Sequence, residues 1–78
     1  PNPFNPVTKI RFTLPEAADV SLKVYDLSGR LVAELMQGMQ NSGRYELEFD
    51  AGTLSSGVYL YILEAGNFRE VKRMTVVK

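Results

Sequence analysis

The run Gly57-Val58-Tyr59-Leu60-Tyr61-Ile62-Leu63 constrains the fold more than any other stretch of this chain. It is the most apolar segment, rich in β-branched and aromatic residues, with Ser55-Ser56 before it and Ala65-Gly66-Asn67 after it. Both alternating faces are hydrophobic: Val58, Leu60 and Ile62 on one, Tyr59, Tyr61 and Leu63 on the other. A half-buried strand would show one polar face, so the pattern predicts a central strand covered on both sides. A run this short between turn signals is not a typical buried helix.

Shorter, one-faced strands are expected around it. Val7 to Leu14 alternates, with Ile10, Phe12 and Leu14 inward and Lys9, Arg11 and Thr13 in water. Pro15 ends this strand and Glu16 to Asp19 turn the chain. Val20 to Asp26 is the second strand, with Val20, Leu22 and Val24 inward. Asp26-Leu27-Ser28-Gly29 reads as a tight hairpin, Asp opening a type I turn and Gly29 supplying the positive φ that follows. The third strand is expected over Arg30 to Met36, with Leu31, Ala33 and Leu35 on one face and Val32, Glu34 and Met36 on the other, then a polar loop over Gln37 to Gly43, and a fourth strand over Arg44 to Phe49 with Tyr45, Leu47 and Phe49 inward. Leu54, alone among small polar residues, is expected to plug an end of the core. Gly66-Asn67 signals a two-residue hairpin into a last strand, Phe68 to Val77. That turn sets Glu64 opposite Arg69 and Tyr59 opposite Met74. Six strands at roughly 8–12-residue spacing read as an all-β sandwich or barrel. No internal repeat stands out. The expected core is Ile10, Phe12, Val24, Leu47, Tyr59, Leu60, Tyr61 and Met74.

Residues 1–6, Pro1-Asn2-Pro3-Phe4-Asn5-Pro6, carry three prolines, which exclude helix and disfavour a central strand. They read as a lead-in or linker, with Phe4 as an anchor, to a single β-sandwich domain over residues 7–78. The chain opens on Pro1 with no methionine, so a domain of a longer protein is expected.

Composition narrows the function. Nine basic and nine acidic residues cancel, leaving no single-sign field to attract nucleic acid or an anionic membrane. There is no histidine, which removes the commonest general base and metal ligand, and no cysteine for a disulfide or thiolate site. No stretch approaches the ~18 apolar residues of a membrane-spanning helix, and no signal peptide opens the sequence.

Glu46 and Glu48 share a strand face about 7 Å apart, a carboxylate spacing some glycosidases use, but any acidic strand face gives it. The serines have no histidine to activate them. Asp26 and Asp50 could serve a cation, yet Asp before Gly in a turn is ordinary turn chemistry. No catalytic, cofactor or metal residue is therefore assigned, and a non-enzyme is expected. Tyr25, Tyr45, Tyr59 and Tyr61 could form a sugar-stacking platform. For Tyr59 the spacing Leu54-x-x-Gly57-x-Tyr59-x-Tyr61 instead resembles the tyrosine corner of immunoglobulin-like folds, where a tyrosine bonds back to the preceding loop. The last residues carry Arg69, Lys72, Arg73 and Lys78 among Val71, Met74, Val76 and Val77: either an edge strand kept soluble by cations or a recognition tail.

Together these motifs resemble one family. Asn2-Pro3-Phe4-Asn5-Pro6-Val7-Thr8-x-Ile10-x-Phe12-x-Leu14-Pro15 is similar to the opening of the C-terminal sorting domains of type IX secretion cargo. Val24-Tyr25-Asp26-Leu27-Ser28-Gly29-Arg30 resembles that family's hairpin, Leu54-Ser55-Ser56-Gly57-Val58-Tyr59 its tyrosine strand, and Lys72-Arg73-Met74-x-Val76-Val77-Lys78 its basic-apolar ending. The immunoglobulin-like domain of flagellar hook-capping proteins shares much of the pattern. Its members resemble Trp-Asp-Gly followed by a longer loop, where this chain has Phe49-Asp50-Ala51-Gly52 and a short one.

The resemblance implies an immunoglobulin-like antiparallel β-sandwich of six to seven strands. It implies a sorting address, carried behind a parent protein and read by outer-membrane secretion machinery, with a sortase-like peptidase acting on it at the cell surface. The bacterial cell surface or medium is the implied destination. Lys72, Arg73, Val76, Val77 and Lys78 are the candidate residues for the machinery to read, and Gly29, Gly57, Tyr59 and Gly66 the structural motif. The alternative is a non-catalytic, immunoglobulin-like surface-binding module, or a structural module that assembles with copies of itself in the manner of a hook cap.

Overall fold

The computed structural model describes residues 7–78, so the lead-in and its Phe4 lie outside the described residues. Six strands follow in order: β1 (Val7–Leu14), β2 (Ala18–Asp26), β3 (Leu31–Gln40), β4 (Gly43–Asp50), β5 (Gly57–Ala65) and β6 (Phe68–Val76). They form two antiparallel sheets, β1-β4 and β3-β2-β5-β6, packed as a sandwich. The chain changes sheet between β1 and β2, between β3 and β4, and between β4 and β5.

The core forms where alternating residues of the two inner faces meet. Ile10 and Leu14 of β1 and Phe49 of β4 come from one sheet. Val20, Leu22, Val24, Tyr59, Leu63, Met74 and Val76 come from the other, and Ala51 closes one end. Leu22 and Val24 are wholly buried, each such side chain contributing about 1.5–3 kcal/mol on transfer from water. Phe12, Leu47, Tyr61 and Leu54 pack against this cluster while staying partly exposed. Phe12 and Tyr45, opposite one another across β1 and β4, stack with ring centroids 5.1 Å apart.

The hairpins follow their turn chemistry. Ala65 pairs with Phe68 around Gly66 (φ 59°), with no positive φ at Asn67, the pattern of a type II′ turn. The register then places Glu64 opposite Arg69, 3.7 Å apart, and Tyr59 opposite Met74, as expected.

Three expectations are corrected. β5 is central, with β2 and β6 at its sides, but it is covered on one face alone. Tyr59, Tyr61 and Leu63 face the β1-β4 sheet, whereas Val58, Leu60 and Ile62 lie on the opposite face and are half-buried. Leu60 is thus no core residue: a sandwich supplies one covering sheet, and here the uncovered face is apolar too. Second, the expected polar loop at Gln37 is strand to Gln40, because Gln37, Gly38, Met39 and Gln40 pair with Ser21, Val20, Asp19 and Ala18. Third, β3 carries two register shifts, between Leu22 and Lys23 and between Val24 and Tyr25 of its partner, so its faces do not alternate simply.

Candidate functional site

The last strand, where the sequence places its candidate recognition residues, is an edge. β6 bonds to β5 along one side, and no described strand pairs with the other. Its faces are set by register. Residues opposite Tyr59, Tyr61 and Leu63 point toward the covering sheet, so Glu70, Lys72, Met74 and Val76 share the inner face. Met74 and Val76 are buried there, but Glu70 and Lys72 pass beyond the cover and lie 3.9 Å apart in solvent. Charges on the inner face of an edge strand discourage indiscriminate edge-to-edge aggregation. Arg73 is exposed on the outer face, beside Leu60.

The tail therefore divides. Lys72, Arg73, Val77 and Lys78 are accessible, Val77 at 71% exposure. Val76, expected with them, is 3% exposed and belongs to the core, so a partner of the folded domain cannot read its side chain. Lys78 is tied to the β4–β5 loop: its backbone N–H donates to Ser56 Oγ at 3.1 Å and its Nζ to the Gly52 carbonyl. Val7, at the start of β1, lines the same cleft of about 230 Å³ as Val76 and Val77. Both ends of the described chain thus sit at one pole of the sandwich.

The structural motif residues hold that pole and the turns. The Tyr59 hydroxyl donates to the Ser55 carbonyl at 2.8 Å, the expected tyrosine corner, with Gly57 between them at φ 156°. A second corner was not anticipated. Tyr45 donates to the Asn41 carbonyl at 2.6 Å, with Gly43 between at φ 146°. The two pentapeptides, Asn41-Ser42-Gly43-Arg44-Tyr45 and Ser55-Ser56-Gly57-Val58-Tyr59, repeat Ser-Gly-x-Tyr. Each stands where the chain leaves one sheet for the other, and that repeat was the signal in the sequence.

At the β2–β3 turn, Asp26 organises every contact. Its Oδ1 accepts from the Ser28 N–H (2.9 Å), the Ser28 hydroxyl (2.6 Å) and the Arg30 N–H (3.0 Å), and its Oδ2 from Arg30 Nε (3.1 Å). Gly29, at φ 91°, donates its N–H to the Asp26 carbonyl. The Ser28 hydroxyl first, then the Arg30 N–H, hold the Asp26 carboxyl below the ordinary carboxylate range. These bonds commit Asp26 to the turn, as the Gly52 N–H commits Asp50 at 2.8 Å.

The carboxylates weighed for chemistry lie on a solvated face. Glu46 is paired with Arg11 at 2.7 Å, and Glu48 stands directly across from Lys9. Among the described residues, no group of three or more acidic side chains is placed to hold a metal ion. The tyrosines are not brought together: Tyr45 and Tyr59 serve the corners and Tyr61 packs on the core. Tyr25, opposite Leu60, alone of the four is on the outer face of the larger sheet. Among the described residues, no helix is long and apolar enough to cross a membrane.

A family model described as "Secretion system C-terminal sorting domain" matches residues 1–78, the whole chain. No curated protein and no solved structure matches.

Proposed function

Because this chain belongs to the secretion system C-terminal sorting domains, those of type IX secretion, we propose that it is a folded, non-catalytic address. In this reading the domain follows its parent protein, is recognised by outer-membrane components of the machinery, and is handed to a sortase-like peptidase at the cell surface. The parent then reaches the surface or the medium.

The family match over the whole chain carries the reading. The accessible residues at the end of the chain support it. Lys72, Arg73, Val77 and Lys78 offer cations and an apolar side chain on an edge strand, a combination that suits recognition by a protein surface. A partner that pairs with the free edge gains main-chain hydrogen bonds, while these side chains set specificity.

The test is a reporter fused ahead of residues 1–78 and expressed in a bacterium that runs type IX secretion. The reporter should reach the surface or medium, stay in the periplasm without the domain, and stay there when the outer-membrane translocon is deleted. Export that is indifferent to the translocon would refute the reading.

A further inference from the structure

The two outer faces of the sandwich differ in kind. On the β1-β4 sheet the outer residues are Lys9, Arg11 and Thr13 against Glu48, Glu46 and Arg44, a charged face that water solvates well. On the larger sheet the register lines up apolar residues instead. Leu31, Tyr25 and Leu60 fall in one cross-strand row, and Ile62 and Val71 are neighbours in the next. Val58 adjoins Leu60 along β5. Leu31 is 48% and Val71 45% exposed, and the others are half-buried, with no described element over them.

The size of this patch limits what covers it. Strands about 4.8 Å apart and residues about 3.3 Å apart along each give an area on the order of 300 Å². A stable interface between two proteins takes about 800 Å² from each partner, so a lasting pair of copies is not what this face is built for. An area of this size fits a short-lived contact, and contiguous apolar patches on small domains are often functional.

Charge narrows the partner further. Arg73 stands directly beside Leu60, and Lys23 directly beside Ile62. Among the described residues, neither has a carboxylate within ion-pair distance, whereas the nearby Glu64 is engaged by Arg69. At the border of the patch Lys23 stands across from Glu34 of β3, which leaves Arg73 as the cation with no carboxylate opposite it.

We propose that the outer face of the β3-β2-β5-β6 sheet is a docking surface for a protein of the secretion machinery that presents an apolar strip with a carboxylate at its edge, opposite Arg73. The proposal rests on the sorting role and deepens it. The address is read from the flat of the sheet as well as from the end of the chain. Apolar contact with Leu60 and Ile62 supplies adhesion, and the Arg73 guanidinium, which can grip a carboxylate through two parallel bonds, sets orientation.

The test uses the reporter fusion with three changes to the domain: Leu60→Thr with Ile62→Thr, Arg73→Glu, and Arg73→Lys. Threonine keeps strand preference while removing apolar area. Hydrogen exchange at β2, in the fusion, reports whether the core is intact. The threonine pair and Arg73→Glu should each cut export by about tenfold with β2 still protected, and Arg73→Lys should lose less. If the threonine pair loosens β2, Leu31→Thr with Val71→Thr decides, since these are the most exposed members of the patch and neither is one of the tail residues.

Normal export of protected Arg73→Glu and threonine variants would overturn the docking surface and leave the sorting role standing. Failure of the unaltered fusion to be exported would overturn both. Sedimentation that shows the unaltered fusion pairing with itself, and the threonine variant not, would assign the face to a second copy and overturn the proposed partner.

Discussion

The Tyr59 hydroxyl donates to the carbonyl of Ser55, four residues back, at 2.8 Å. Tyr45 makes the same contact with Asn41 at 2.6 Å, and the two corners stand at opposite ends of β4. Each locks a place where the chain switches sheets. Each passes through a glycine at positive φ, a conformation that strains any side chain, even though a Cβ at Gly43 or Gly57 would meet no atom within 4 Å.

Tyr45→Phe and Tyr59→Phe should each therefore lose about 0.5–1.5 kcal/mol, the net worth of one hydrogen bond. In a domain of this size that lowers the melting temperature by several degrees, at about 4–8 °C per kcal/mol. The sites share no partner, so the double variant should show the sum of the two shifts. A thermal melt of all three checks both statements. A double variant no worse than either single one would mean that the corners do not act independently.

The two faces of β5 and its neighbours give a second prediction. Leu22 is wholly buried, and Leu22→Ala should cost about 2–5 kcal/mol, enough to threaten so small a fold. Leu60 is half-buried on the uncovered face, so Leu60→Ala should cost clearly less. Denaturant unfolding of the pair distinguishes them. Equal losses would show that the outer face is packed as tightly as the inner one.

Much of this fold was legible in the sequence because turn chemistry and period-two patterning are local. Pro15, Asp26-Leu27-Ser28-Gly29 and Gly66-Asn67 marked turns, and Gly66-Asn67 also fixed the register of β5 against β6. What stayed hidden depends on partners far along the chain. Gln37, Gly38, Met39 and Gln40 hold two amides and a glycine and no β-branched residue, and they are strand because β2 pairs with them, not because of their own preference. Leu60 reads as core from its neighbours, and only the absence of a covering sheet on that side of the described residues makes it surface. Val76 is the reverse case. Its place in a cationic tail suggested recognition, while its register opposite Gly57 turns the side chain into the core.

Asp26 gives the stability of the β2–β3 turn a pH dependence. Its carboxyl is held below the ordinary value, about 3.9, by the Ser28 hydroxyl and then the Arg30 N–H. A lowered carboxylate stabilises the fold fully at pH values above its unfolded pKa. That contribution is lost as pH falls through the folded pKa. The turn should thus hold at neutral pH and weaken only below about pH 4. Carboxyl-carbon NMR titration should find Asp26 below the ordinary carboxylate range, and Ser28→Ala should move it upward. An unshifted value in the Ser28→Ala variant would rule out the hydroxyl as the leading cause.

Truncation separates recognition from folding at the end of the chain. Val77 is 71% exposed, and Lys78 contributes two hydrogen bonds to the β4–β5 loop, so removing Val77-Lys78 leaves the core whole. The melting temperature should stay within several degrees of the intact domain. Removing Val76 as well takes away a side chain 3% exposed, worth about 1.5–3 kcal/mol, and the domain should melt far lower. If the machinery reads the tail, the shorter truncation should already block export of a fused reporter while the sandwich stays folded. If the tail is structural alone, export should fail only with the longer truncation, in step with unfolding. The decisive measurement is the Val77-Lys78 truncation by itself. A folded domain that still exports its reporter normally would exclude Val77 and Lys78 as recognition residues and leave Lys72 and Arg73, farther up β6, to carry that role.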